Sequence, residues 1–241
     1  MARFSRIDLP QRFNLKFSSR LFPMPNLSSP ILFDLDCRRC PRLSAHLDVV
    51  KAAHPTYHAR PVPPFGDENP RLLVVGLAPG THGANRSGRP FTGDYAGILL
   101  YETLHRYGFS TAPTGVDPND GLRLIDCRLT NAVKCLPPEN KPETAEIKLC
   151  NSYLSNELKA FSRLKVVLAL GGVAHGAVLK TVGAKVKDYP FGHGLVHTLP
   201  GGLTLIDSYH CSRYNTQTRR LTPEMFYAVF TQIRALLNTL V

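Results

Sequence analysis

"LLVVGLAPGTHGANRSGRPFTGDYAG", residues 72–97, sets a short apolar run against a loop holding six glycines, two prolines and a single acid. Leu72–Val75 has the composition of a strand buried on both faces. The loop after it lets backbone N–H groups come close to a ligand, because glycine has no Cβ to hold them off. It matches neither G-x-x-x-x-G-K-[ST] nor G-x-G-x-x-G, so it is not read as a triphosphate cradle.

Working outward, Arg128–Val133, Val166–Gly171 and Thr204–Ser208 are further short apolar runs, rich in β-branched residues or bounded by glycine. Helical patterns lie between and around them at Pro41–Ala53, Ala96–Tyr107, Pro142–Phe161, Val173–Val182 and Pro223–Leu240. The last begins with Thr222 as N-cap, Pro223 at the first position and Glu224 in the first turn. This alternation predicts an α/β protein, a three-layer α/β/α sandwich around a central four-stranded parallel sheet. Ligands bind such sheets beyond the carboxyl ends of the strands. The Gly76 loop, the segment after Val133, the Gly171 turn and the stretch after Ser208 all fall there. The Pro-rich stretch 58–70 reads as a surface linker inside one domain, residues 31–241.

With 29 basic and 18 acidic side chains the chain carries a net charge of +11, which favours a polyanionic partner, nucleic acid before anionic membrane. Residues 1–30 hold five basic side chains against Asp8, and no apolar core of a secretory signal. They read as an N-terminal extension: a disordered tail, a transit-like segment, or a start placed ahead of Met24. The longest apolar run, Val166–Ala174, is far short of the roughly eighteen residues a membrane span needs, so a soluble protein is expected.

Four of the six cysteines form a pattern. Cys37 and Cys40 make C-x-x-C, and Cys135 and Cys150 flank "LPPENKP". Paired cysteines without a secretory signal point to metal rather than disulfides. A Cys₄ site accepts zinc or a [4Fe–4S] cluster, and spacing alone leans to zinc. Cys127 and Cys211 read as ordinary thiols.

Three segments, "GLAPGTHGANRSGRPFTGD", "LTNAVKCLPPENKP" and "SYHCSRYNTQTRRLTPEMF", resemble the signature regions of family 5 (B-type) uracil-DNA glycosylases, in the same order and over residues 31–241. The resemblance implies a DNA-repair hydrolase of base excision: a monofunctional glycosylase that flips out uracil or another deaminated base, hydrolyses its N-glycosidic bond and leaves an abasic site. It also implies a structural [4Fe–4S] cluster on Cys37, Cys40, Cys135 and Cys150, in place of zinc. A monomer in the cytoplasm, at the nucleoid, is expected. The competing reading is a catalytically silent nucleic-acid-binding module with a Cys₄ metal site.

On this resemblance the glycine loop, with Gly76, Ala78 and Gly80, floors a pocket for a flat base. Phe91 stacks on the base, and Asn131 reads its Watson–Crick edge, since a carboxamide both donates and accepts. His210 stabilises charge on the departing base oxygen. Where many relatives have an acid this chain has Ala78, so Asp94 becomes the residue to orient water, with Asn85 and His82 sharing the work. Asp94 is equally placed to cap the helix after it. Ser212, Arg213, Tyr214, Asn215, Arg219 and Arg220 belong to a segment expected to enter the minor groove. Family members commonly have Gly at the position of Arg219; if that Gly serves a positive φ, this loop is expected to differ in shape.

Overall fold

The computed structural model describes residues 33–239. The expectations for residues 1–30 lie outside the described residues. The described chain belongs to one compact unit. Its strands are β1 (Phe65–Gly66), β2 (Leu72–Gly76), β3 (Cys127–Asn131), β4 (Val166–Leu170), β5 (Val196–Thr198) and β6 (Thr204–Ser208). They form one sheet in the order β1-β3-β2-β4-β6-β5.

The central four strands, β3-β2-β4-β6, are parallel, as the continuous apolar runs require. The sheet is wider than the four strands expected. Two short strands, β1 and β5, extend its edges in antiparallel pairing. β1 falls within the stretch 58–70, which is therefore more than a linker. Neither edge strand is long enough to show an alternating pattern.

The helices are α1 (Pro41–Ala53), α2 (Ala84–Ser87), α3 (Tyr95–Arg106), α4 (Thr144–Ala160), α5 (Gly172–Thr181), α6 (Arg213–Gln217) and α7 (Pro223–Thr239). Alternate strand residues face opposite helical layers. Leu72 and Val74 pack with Leu100 and Leu104 of α3 and Phe226 and Phe230 of α7. Leu73 and Val75 pack with Leu154 of α4 and Val178 of α5. The three-layer sandwich follows. Each fully buried Leu or Val of this core contributes about 1.5–3 kcal/mol by leaving water. A third cluster, led by Leu43 and Leu47 of α1, closes around Cys135, Cys150 and Tyr153.

Local chemistry sets the helix ends near the site. Asp94 caps α3, its Oδ1 accepting the Gly97 N–H at 3.0 Å. Glu143 and Glu146 form a capping box on α4. Thr222 Oγ1 accepts the Met225 N–H at 3.3 Å at the start of α7.

Candidate active site

A cleft of about 430 Å³ opens at the carboxyl ends of the parallel strands. Leu77, Ala78 and Gly80 from the glycine loop, Leu170 from β4, and His210 and Arg213 after β6 line it, together with Asp94 and Asn140. All the segments expected at this end of the sheet therefore contribute. Asn140 was not singled out from the sequence. It sits in the Pro-rich turn after β3 with φ of 57°, a left-handed conformation that asparagine tolerates. The turn belongs to the segment "LTNAVKCLPPENKP", whose Pro-rich end at a strand's carboxyl end is itself a signal.

Next to Leu77 at the end of β2, Gly76 stands beside Asn131 at the end of β3. A Cβ on Gly76 would collide with Asn131 Oδ1 and come within 2.6 Å of Phe91 Cζ. Glycine is what lets these side chains meet. Asn131 is only 4% exposed, yet its carboxamide has no hydrogen-bond partner among the described residues. Unlike the sealed amide of Asn85, that of Asn131 still reaches solvent, so it is open to a ligand. Phe91 is buried and holds φ of 55°, a strained conformation for a bulky residue. Its ring centroid lies 6.3 Å from that of His210.

His210 is held from behind. Asn215 Nδ2 donates to the His210 carbonyl at 2.8 Å, so Asn215 is engaged here rather than free. The Nδ1 of His210 is sealed from solvent and has no partner among the described residues. Burial pushes the imidazole pKa down to about 4. At neutral pH the ring is therefore uncharged. An unpartnered Nδ1 is cheaper as a lone pair than as an orphaned donor, which places the proton on Nε2.

Burial also raises the pKa of Asp94, against the lowering effect of the Gly97 and Ala96 amides. Its carboxylate packs against Gly83, where a Cβ would fall 2.5 Å from Asp94 Oδ2. Asp94 thus caps α3 and lines the cleft at once. Asn85 and His82 are not brought to the cleft. Asn85 is fully buried with neither amide atom partnered among the described residues. His82 points to the surface, its Nδ1 2.9 Å from the Tyr57 hydroxyl.

Beside the cleft, Ser212 caps the short helix α6, which presents Tyr214 to solvent at 71% exposure. Arg220 stacks over the Tyr209 ring at 4.6 Å. Arg219 is exposed and adopts φ of 57°. The loop therefore keeps a left-handed residue without glycine, and the change of shape expected from Arg219 is not needed.

Cys37, Cys40, Cys135 and Cys150 line one small cavity between α1, the turn after β3 and α4. The Lys134 N–H reaches Cys150 Sγ at 3.2 Å. Burial, then the neighbouring thiols Cys150, Cys37 and Cys40, push Cys135 up to about 12.

Comparison with known proteins adds to this geometry. Residues 63–234 match the family described as the uracil DNA glycosylase superfamily. The chain is similar to the type-5 uracil-DNA glycosylase of Thermus thermophilus, at 47% identity over 83% of this chain and 93% of that protein. It is similar to the type-5 enzyme of Mycobacterium bovis at 44% identity, covering 83% of this chain and 78% of that one. For the type-5 enzyme of Pyrobaculum aerophilum the identity is 42%, over 83% and 89%.

Proposed function

Starting from the fact that the chain belongs to the type-5 branch of the uracil-DNA glycosylase superfamily, we propose how its own residues divide the work of excision. The protein is a hydrolase of N-glycosyl bonds that acts in base-excision repair. Its substrate is uracil in DNA, with other deaminated bases a natural extension of the same pocket. The observation that carries the division of labour is the cleft that Asp94, Asn140 and His210 line together at the strand ends, with Asn131 at the end of β3.

A flipped uracil enters over the glycine loop and stacks on Phe91, an interaction of about 1–3 kcal/mol. Asn131 then finds the partners it lacks within the protein: its amide N–H meets uracil O4 and its oxygen accepts from N3–H. Cytosine presents the reverse pattern and is refused. The C1′–N1 bond breaks with its electron pair leaving on the base, and negative charge collects at O2. The Nε2–H of neutral His210 donates to that oxygen, an effect worth about 3–4 kcal/mol. The ionised Asp94 carboxylate faces the cationic sugar and orients water, taking its proton as the water oxygen bonds to C1′. Asn140 adds a neutral carboxamide on the same wall to hold that water.

Tyr214 is the wedge that fills the space left in the duplex, and Arg213, Arg219 and Arg220 meet phosphates. Ser212 and Asn215 shape this segment rather than touch DNA. No lysine lines the cleft among the described residues. Lys134 is buried, with its ammonium 2.5 Å from Glu157 Oε1. Among the described residues the cleft offers a covalent lyase step no amine nucleophile, which supports a monofunctional enzyme. It acts as a monomer.

The all-thiol site on Cys37, Cys40, Cys135 and Cys150 fits a [4Fe–4S] cluster. Bound there, the cluster supplies ionised thiolate ligands and a cross-link, and takes no part in the bond breaking. The residues themselves tie α1 to α4 and to the turn that carries Asn140. No helix of the described residues is long and apolar enough to cross a membrane.

The test is base release from a labelled duplex with one U·G pair. Strand breakage only after alkali is expected. Breakage without alkali would overturn the monofunctional reading, and no abasic product at all would overturn the division of labour with it.

A further inference from the structure

Helix α5 and the β5–β6 hairpin bring together three side chains that excision does not use. Asp207, on β6, is completely buried. His175, on α5, is 1% exposed, with Nδ1 2.8 Å from Asp207 Oδ1 and Nε2 2.9 Å from the Tyr189 carbonyl oxygen. His197, on β5, lies opposite Leu205 and is therefore diagonal to Asp207 on the same face of the sheet. Its Nε2 stands 3.5 Å from Asp207 Oδ2, sealed from solvent and with no hydrogen-bond partner among the described residues. One donor atom from each of the three falls within 4.8 Å of the others.

The hydrogen-bond inventory of this cluster calls for a cation. A carbonyl only accepts, so His175 carries a proton on Nε2, directed at Tyr189. In the neutral ring Nδ1 is then a lone pair facing a carboxylate, which is repulsive. A second proton on His175 would mend that contact and leave His197 unpartnered. One divalent ion among the three groups satisfies all of them.

The Tyr189 contact also has the form that metal-bound histidines use. The far ring N–H is donated to a backbone carbonyl, which fixes the tautomer and aims the other nitrogen at the ion. Two imidazoles and one carboxylate make a familiar three-residue zinc donor set with one position left open. We infer that His175, His197 and Asp207 form a binding site for a divalent transition-metal ion of zinc-like preference, separate from the four cysteines. The ion would pin α5 to the β5–β6 hairpin, three residues ahead of His210, and stiffen the strand that delivers it.

The experiment compares the purified protein with His197→Ala and Asp207→Asn. Each is incubated with excess zinc chloride and desalted, and zinc and iron are counted per chain. His197 is the least buried of the three ligands, so its truncation keeps the fold. About one more zinc per chain is expected in the parent than in either variant, with equal iron in all three. Added zinc should also raise the melting temperature of the parent alone. Counting the difference isolates this site even if the cysteines were to take up zinc. Equal zinc in the parent and His197→Ala, or the same melting shift in both, would overturn the inference.

Discussion

The side-chain amide of Asn215 donates to the main-chain carbonyl of His210 across 2.8 Å, so a residue of the segment proposed to meet DNA holds the histidine proposed to polarise the departing base. A neutral hydrogen bond of this kind contributes about 0.5–1.5 kcal/mol. Asn215→Ala should therefore slow single-turnover base release about two- to tenfold while changing duplex affinity much less. If the variant lost affinity and kept its rate, Asn215 would be a DNA contact after all. The comparison needs only single-turnover rates and an equilibrium binding curve.

Asp94 has two roles, and one substitution separates them. Asparagine caps a helix about as well as aspartate, so Asp94→Asn should keep the melting temperature. Its neutral amide can neither take a proton nor stabilise a cationic sugar, and base release should fall about 10²–10⁴-fold. Asp94→Ala loses the cap as well, about 1 kcal/mol, which lowers the melting temperature by about 2–4 °C. An Asp94→Asn enzyme of normal rate would leave the residue as a cap alone.

His210 yields a prediction about pH. Its folded pKa, about 4, lies below the ordinary value of 6.5. The folded state resists the proton that the unfolded chain accepts. This group's contribution to stability is thus complete above the ordinary value and is lost as pH falls from 6.5 towards 4. Base release should show no histidine inflection near 6.5. The acid limb should reflect Asp94, whose burial sets it above a free aspartate. A rate that halves as pH rises through about 6.5, and becomes flat there in His210→Gln, would show a charged imidazole at work.

What was legible in the sequence had a physical basis. The runs at Leu72–Gly76 and Val166–Leu170 are buried at every residue, so unbroken apolar composition was enough to find them. Val196–Thr198 shows no such run, because two of its three residues are exposed at the sheet edge. Phe65–Gly66 was hidden among prolines. Asp94 and His210, which line the cleft, and Asn131, which ends β3, each stand in a segment with a recognisable pattern at a strand end. Asn85 stands in the same pattern, and only the fold shows it turned inward. Asn140 stands in the same segment as Asn131, and only the fold shows that its left-handed turn brings it to the cleft. The His175–His197–Asp207 cluster comes from three separated segments, and no local spacing announces it.

Arg219 gives the remaining prediction. Its φ of 57° is a conformation that disfavours a side chain bearing a Cβ by about 1–2 kcal/mol. Glycine takes it freely, at the expense of a more flexible unfolded chain. Arg219→Gly should therefore stabilise the protein by up to about 1 kcal/mol, raising the melting temperature by about 2–4 °C. The same change removes one exposed cation from the DNA-facing segment. Affinity for duplex should weaken alike for U·G and undamaged sequences, and the salt dependence should lose about one phosphate contact. A more stable protein with weaker, less salt-sensitive binding means that Arg219 holds a strained backbone in exchange for a phosphate. Unchanged binding would place the phosphate contacts on Arg213 and Arg220 and leave the strain at Arg219 without a role in DNA recognition.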